Sequence, residues 1–427
     1  MSEIKPRYLV MVTASANNNK YYKQIPHGDS WTAEYGRVGS SPQRREYSMS
    51  QWESKYNEKI RKGYVDQSDL VEDLIQVEKP KKSEYKEIEN KVIAEIVERL
   101  QNMAKKAISD NYTNSSNKVT QAMVDEAQNI LTSLIHIDDL KEFNDTLLKL
   151  FTTIPRKMSD VKLYLVKNTD DFAKTIQREQ DLLDVMRGQV VQHQTVEEVV
   201  EDSSEEKSYT ILEQLGLEFE ECDANDIATI KAALGSCVDK FYKAWKVKNL
   251  RTQKRYDEFV KANNITNTKL LFHGSRNENW WSIINSGLML KPTNAVITGK
   301  MFGYGIYYAP KARKSLGYTS LSGSYWAKGS SNSGFMALMD VAYGKPYDVH
   351  SFDSKYYNFN YEALQRNCPG ANCLHAHEGS MLRNDEIIVY NKLGELIEHT
   401  VLGDEIKDIL PLSNDVFLLT PSKLRDL

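Results

Sequence analysis

Four short stretches hold most of the side chains that could do polar chemistry in this 427-residue chain. In LLFHGS, His273, Gly274 and Ser275 arrive together at the end of a run with the apolar character of a short strand. In GKMFGYGIYYAPKARKSLGY, residues 299–318, glycines at 299, 303 and 305 permit tight backbone geometry, and Tyr307, Ser315 and Tyr318 can face one cleft. In NDEIIVY, residues 384–390, Glu386 opens an apolar strand. Each feature also has an ordinary reading, as a packed histidine at a strand end or a solvated glutamate at a strand edge. This is not a dinucleotide fingerprint, because G-x-G-x-x-G is absent and no strand, glycine loop and helix surround the motif. The fourth stretch, CPGANCLHAH, offers Cys368, Cys373, His375 and His377, which are ligand types that zinc accepts. Its C-x4-C-x-H-x-H spacing is not a standard one. The histidines read first as ordinary loop residues, so no metal is expected, and zinc, if it bound there, would be structural.

Three regions must position these groups. From Tyr209 onward, strand-like pieces (LEFEEC, KLLFHGS, YGIYYA, FMALMDVAYG, DEIIVY) alternate with turns and a helix expected near residues 224–248, an α+β region long enough to fold alone. Ahead of it, apolar residues fall at helical spacing in four stripes: Ile88 to Ala107, Met123 to Leu134 with Thr120 as N-cap, Leu140 to Phe151, and Phe172 to Met186 from a start near Thr169. Four amphipathic helices with short connections predict an antiparallel bundle, and its lack of ligand patterns suits packing or regulation better than chemistry. Residues up to about 70 are rich in tyrosine, tryptophan and basic side chains, with strand-like runs RYLVMV and WTAEYGRVG. Such a mixture can hold phosphates and stack on bases, or be a solvated basic face over a small β core. EKPKKSEYK reads as a charged linker and EEVVEDSSEE, residues 197–206, as a solvated connector.

Composition bounds the rest. With 41% hydrophobic and 27% charged residues the chain is globular in character. No run approaches the roughly 20 apolar residues of a membrane span. MSEIKPRYLV lacks the apolar core of a signal peptide, so an intracellular protein is expected, and four cysteines suit a reducing compartment. The net charge of −4 says little about partners.

Taken together, HGS, then G-x-x-x-G-x-G-I-Y-Y-A with K-S-x-x-Y, then D-E-I-I-V-Y resembles the catalytic domain of the poly(ADP-ribose) polymerase family in order and approximate spacing. NKYYKQI, WTAEYGRVGS and RKGY resemble the WGR domain of its DNA-break-responsive members, and FTTIP with EQDLLDVM resembles their helical regulatory domain. The resemblance implies a multidomain α+β chain: a β-rich WGR-like DNA-binding domain (1–78), a linker (79–90), an all-α regulatory bundle ending in the acidic connector (91–206), and a mixed α+β ADP-ribosyltransferase domain (207–427). NAD would be a substrate, with no permanently bound cofactor. His273 would bond a ribose hydroxyl, with Ser275 beside it. The Gly274 backbone and Ser315 hydroxyl would hold the nicotinamide carboxamide, Tyr307 and Tyr318 would sandwich its ring, and Glu386 would complete a His–Tyr–Glu triad. Trp31, Tyr35 and Arg37 would contact DNA or relay its presence to the helices.

The chemistry such a triad serves is cleavage of the nicotinamide–ribose bond. Positive charge develops on the sugar as nicotinamide leaves neutral, so ring positioning and a nearby carboxylate are needed rather than a general acid. In the family, glutamate at this position accompanies polymer or oligomer synthesis. The sequence departs from the family at Met289 (commonly arginine), Tyr304 (commonly lysine) and Tyr35 (the tryptophan of WGR), and its 367–386 segment is short. Expected partners are NAD, DNA strand breaks and protein acceptors including the chain itself, with no membrane. The location would be the nucleus in a eukaryote, and the cytoplasm or nucleoid in a bacterial or viral setting. Mono-ADP-ribosylation, NAD hydrolysis, or an inactive DNA-end-binding module are the alternatives.

Overall fold

A computed structural model describes residues 4–71, 85–112, 119–201, 209–288, 301–321, 323–324, 327–328, 331–379, 382–390 and 413–421. Met289, Gly299, half of the expected linker (79–84) and the acidic run beyond Glu201 lie outside them. Two compact units result, one built from residues 1–83 and 105–193, the other from 84–104, 194–293 and 297–427, with residues 294–296 grouped with the first.

The first unit opens with a five-stranded sheet ordered β4-β3-β2-β1-β5: β1 (Arg7–Thr13), β2 (Asn18–His27), β3 (Ser30–Arg37), β4 (Gln43–Ser48) and β5 (Val65–Asp66). Alternation along β3 directs Trp31 and Ala33 inward, where with Leu9 of the continuously apolar β1 they meet Tyr22 and Trp52. Trp52 begins α1 (Trp52–Arg61), a helix without a strong apolar stripe that the sequence reading did not anticipate. Trp31 is 0% exposed, stacks on Tyr47 at 4.8 Å and donates its ring N–H to the Ser48 carbonyl. It is therefore a core residue, and its expected role at DNA is corrected: a ring sealed on all sides has no face for a nucleotide.

The same unit holds the end of α2 (Lys91–Asn111), then α3 (Gln121–Leu134), α4 (Leu140–Thr153) and the first part of α5 (Phe172–Glu201). The Thr120 hydroxyl accepts from Met123 N–H and Asp139 accepts from Glu142 N–H, so two orphan helix ends are satisfied as their N-cap residues suggest. Phe143 and Phe172 stack at 3.8 Å. Ile154 turns to extended backbone and stops α4 ahead of Pro155. Helix α5 runs on to Glu201, so the first residues of the acidic run are helical. Neither glycine nor proline interrupts residues 189–201, and Gln194, Glu197 and Glu198 are good helix formers.

The second unit contains α6 (Ile211–Leu215), β6 (Leu217–Glu221), α7 (Ala224–Leu234), β7 (Phe241–Asn249), α8 (Leu250–Ala262), β8 (Thr268–Gly274), α9 (Trp280–Ser286), β9 (Ile306–Tyr308) and α10 (Ala312–Leu316). There follow β10 (Gly323–Ser324), β11 (Ala327–Lys328), β12 (Met336–Ala342), β13 (Pro346–Val349), α11 (Tyr361–Asn367), β14 (Cys373–Ala376), β15 (Glu386–Val389) and β16 (Ser413–Pro421). The single helix expected over 224–248 is two elements: α7 ends at Leu234 ahead of Gly235, and FYKAWKVKN becomes β7. Buried Ala244, Trp245 and Val247 in a strand with three aromatic residues override the helical reading.

Strands order as β6-β7-β16-β12-β8 in one sheet and β13-β14-β15-β9 in another. The sheets meet where Phe272 N–H donates to Ala309 O at 2.8 Å and Ala309 N–H returns to Phe272 O at 2.9 Å. That junction lies one residue from His273 and two from Tyr307. Met336 and Leu338 of β12 pack with Phe272, Ala312 and Leu316 behind it.

Candidate active site

Strand β8 delivers His273 to the junction, and its ring Nδ1 lies 3.0 Å from the Tyr307 carbonyl. A carbonyl only accepts, so Nδ1 carries the proton and Nε2 of the neutral ring keeps a lone pair. Burial lowers the His273 pKa against the smaller opposing pull of that carbonyl, which favours the neutral ring. The rings of Trp280 and Tyr308 meet it edge-on at 6.4 and 5.9 Å and fix its plane.

Gly274 follows, pressed against the end of α10. A Cβ there would sit 2.0 Å from the Ser315 carbonyl oxygen, so only glycine lets β8 and α10 approach this closely. The buried Ser315 hydroxyl donates to Phe272 O at 3.0 Å, tying helix to strand, and Tyr318 N–H donates to Ser315 O. Ser275 accepts from the Asn279 amide at 3.1 Å, while its carbonyl takes the Trp280 ring N–H. The glycine-rich segment closes the other side. Gly303 has φ +75°, and a Cβ on it would strike Phe359 O at 2.0 Å. Its carbonyl accepts from the Tyr307 hydroxyl, which itself accepts from Phe302 N–H, both at 3.0 Å, so the phenol is held from two sides.

Glu386 begins β15, paired with Ala376 of β14, and is 4% exposed. Its Oε1 lies 2.5 Å from Lys314 Nζ, and among the described residues its buried Oε2 has no hydrogen-bond partner. One oxygen is thus neutralised by an ammonium while the other remains an acceptor for a hydroxyl. Burial lowers the Lys314 pKa, but the Glu386 carboxylate outweighs it and the net shift is upward. Tyr307 is raised far above the ordinary phenol, first by burial and then by Glu386 and Tyr318, while Tyr318 is raised by burial against the pull of Lys314. Tyr307, Lys314, Tyr318 and Glu386 thus lie within electrostatic reach of one another, and His273 joins them through the Tyr307 carbonyl. Tyr318 is 43% exposed and offers its ring outward.

Lys314 was not singled out from the sequence. Its signal was its place directly before Ser315 in K-S-x-x-Y, on the one-turn helix that faces β15. Of the CPGANCLHAH residues, His375 and His377 gather with Asp348, and neither cysteine joins that group. The buried Cys373 thiol donates to Tyr343 O at 3.3 Å and is pushed up to about 12 by burial, so it stays a protonated thiol. Cys368 is half-buried and free. The four residues therefore do not form one Cys/His ligand set.

In the first unit Arg37 is fully committed. Its Nη1 donates to Asn17 O at 2.9 Å, and its Nη2 to Met158 O at 3.0 Å and Ser159 O at 2.9 Å. Asn19 donates to Arg156 O at 3.0 Å, and Val161 N–H donates to the Asn17 side chain at 3.0 Å. Tyr35 is half-buried near Tyr22, with the Lys59 ammonium 5.8 Å from its ring.

Two sheets meet at β8 and β9, and β8, β9 and β15 carry His273, Tyr307 and Glu386. The chain belongs to the poly(ADP-ribose) polymerase family: the profile of the poly(ADP-ribose) polymerase catalytic domain matches residues 224–397, and that of the WGR domain matches residues 5–71. It is accordingly an NAD ADP-ribosyltransferase. Uncharacterized protein 101L of Invertebrate iridescent virus 6 is 33% identical over 186 residues, 43% of this chain and 76% of that protein. Poly(ADP-ribose) polymerase 2 of Zea mays is 33% identical over 153 residues, and the human protein of that name 42% identical over 81 residues. Those alignments cover 34% and 19% of this chain, and 22% and 13% of the two polymerases. Among the described residues no helix is long and apolar enough to cross a membrane.

Proposed function

We propose that the chain is a poly(ADP-ribosyl)transferase stimulated by DNA strand breaks, which cleaves NAD to nicotinamide and adds ADP-ribose to protein acceptors including itself. The observation that carries this reading is the divided carboxylate of Glu386, with Oε1 on Lys314 and Oε2 left as a buried acceptor. A ribose hydroxyl bonded to Oε2 meets a buried carboxylate oxygen whose charge the Lys314 ammonium offsets from the opposite side. The bond strengthens as the sugar becomes oxocarbenium-like, which is differential stabilisation of the transition state. The nicotinamide carboxamide would rest on the Gly274 backbone and the Ser315 hydroxyl. Tyr307 and Tyr318 would hold the ring between π faces, and His273 Nε2 would accept from a ribose hydroxyl. A second hydroxyl, from an ADP-ribose already attached, could be oriented by the same carboxylate, and that is chain elongation.

DNA control has its support in the first unit. The backbone that follows α4 is held by Arg37, Asn17 and Asn19 of the β-rich domain, so a nucleic acid that shifts that domain acts on the helical segment directly. If the helices restrain the catalytic domain and DNA loosens them, coupling is reciprocal, and DNA should tighten NAD binding as NAD tightens DNA. Incubating the full chain with labelled NAD, with and without nicked DNA, tests the whole reading. A ladder of modified protein that grows with DNA is expected. A single mass shift would point to mono-transfer, free ADP-ribose alone to hydrolysis, and no turnover to an inactive DNA-end-binding module.

A further inference from the structure

We propose that Asp348, His375 and His377 form a site for a divalent transition ion, Zn2+ by ligand type, on the strand pair that leads into Glu386. The site lies outside the NAD cleft and is independent of what the transferase modifies.

The period-two geometry of β14 starts it. His375 and His377 are two residues apart, so both rings leave on one face, and the parallel pairing Asp348↔His375 brings a carboxylate level with them. One ligand atom from each of the three residues lies within 4.8 Å of the other two. Asp348 Oδ1 is 2.7 Å from His377 Nε2 and 3.8 Å from His375 Nδ1. A tetrahedral ion at about 2.0–2.1 Å from each donor wants its ligands roughly 3.3 Å apart, so the gaps are already near the required span. The two rings stack at 3.9 Å with planes 26° apart. Turning one about its broad χ2 torsion points both nitrogens at a common centre.

The remaining nitrogens are arranged as in metal centres, where a ligating histidine hands its other N–H to a carboxylate. Asp385 Oδ2 is 3.0 Å from His375 Nε2 and 3.9 Å from His377 Nδ1, and its Oδ1 is fixed by the Glu378 N–H at 2.7 Å. A carboxylate only accepts, so His375 carries its proton on Nε2 and keeps a lone pair at Nδ1, the atom on the Asp348 side. The Tyr343 hydroxyl now donates to that lone pair at 2.8 Å; it would give way or sit at the open fourth position. His377 would pass its Nε2 proton to Nδ1 or to solvent, so binding weakens at low pH. Two carboxylates balance the charge of the ion, and imidazoles favour zinc over magnesium or calcium. Neither cysteine is needed. Because Asp385 precedes Glu386, an ion here would also set the start of β15.

Untagged full-length protein, stripped with a chelator, is titrated with Co2+ as a spectroscopic stand-in and back-titrated with Zn2+. The expected result is saturation at one Co2+ per chain with intense tetrahedral d–d bands, displaced by Zn2+. Cys368→Ser with Cys373→Ser should leave this spectrum unchanged. His377→Gln should weaken binding at least 100-fold, and Asp385→Asn by about 10–100-fold, as for lost partners of ligating histidines. Metal-free melting temperatures of the variants check folding, and His377, half-buried, carries the test alone if other variants are unstable. Non-saturable uptake, a thiolate charge-transfer band lost with the cysteines, or wild-type affinity in His377→Gln would each overturn the proposal.

Discussion

Replacing Gly274 by alanine adds one methyl group, and the structure says where it must go. The new Cβ would lie 2.0 Å from the Ser315 carbonyl oxygen and 2.8 Å from its carbonyl carbon, where ordinary contact begins at 3.4 Å. Both atoms are backbone, so β8 and α10 must part by more than an ångström. Overpacking of this kind costs about 1–3 kcal/mol. Parting also stretches the Ser315 bond to Phe272 O, and a buried hydroxyl left unpaired costs about 1–3 kcal/mol more. The stability loss should therefore be roughly 2–6 kcal/mol. Catalysis should suffer beyond stability, because Ser315 O accepts the Tyr318 N–H and the displacement carries that ring with it. An ångström of misplacement can cost about 100-fold. The measurement is nicotinamide release under kcat/KM conditions at a temperature where circular dichroism reports the variant folded, beside thermal unfolding. Ser315→Ala is the comparison: it removes the hydroxyl, with its bond to Phe272 O and its proposed contact to the carboxamide, but leaves β8 and α10 in place, so the loss Gly274→Ala shows beyond it is the cost of parting them. A Gly274→Ala protein with wild-type melting and wild-type turnover would refute the assigned apposition of strand and helix.

Glu386→Gln keeps the shape of the side chain and removes its charge; turnover should fall about 100–1000-fold with NAD affinity nearly unchanged, and long polymers made at the wild-type rate would contradict the assigned role. Arg37→Ala should lower DNA-stimulated turnover while DNA affinity, measured by anisotropy, changes little; lost affinity with a shallower salt dependence and full activity at saturating DNA would make Arg37 a phosphate contact instead. Acid stability follows from His273, whose native pKa is depressed by burial. The unfolded ring binds its proton from roughly pH 6.5 downward while the native ring does not, so stability should decline as pH falls below that value. His273→Gln should flatten that part of the melting-versus-pH curve, and an unchanged slope would assign it to other groups.

Much of this was legible from residue pattern alone, for physical reasons. Helices α3 and α4 announce themselves because one amphipathic face and one capping side chain are local properties, and the sequence contains both. Strands β8, β9, β12 and β15 are short apolar runs closed by polar residues. The cleft residues were legible only as a set, since no single spacing in them demands chemistry. What failed was non-local. Trp31 has the composition of a nucleic-acid contact, and only the packing of Tyr47 and Trp52 around it makes it core. The 241–249 segment carries enough helix formers to extend α7, and burial between other strands decides otherwise. The Lys314–Glu386 pair joins residues far apart in sequence that meet only because β15 pairs with β9 beside α10. Asp348 likewise reaches the two histidines only through a parallel strand pairing.

The link between the β-rich domain and the segment after α4 is written almost wholly in main-chain atoms: the carbonyls of Arg156, Met158 and Ser159 and the N–H of Val161. A receiver that presents only peptide groups is indifferent to which side chains it bears. Alanine scanning along 156–161 would report the buried side chains there, Arg156 on Glu179 and Met158 and Val161 in the core, but not the link itself, whereas an ester in place of a single amide would report the link alone. Only an exposed position such as Ser159 is free to drift while its carbonyl keeps the link, so what the link itself requires there is a backbone shape.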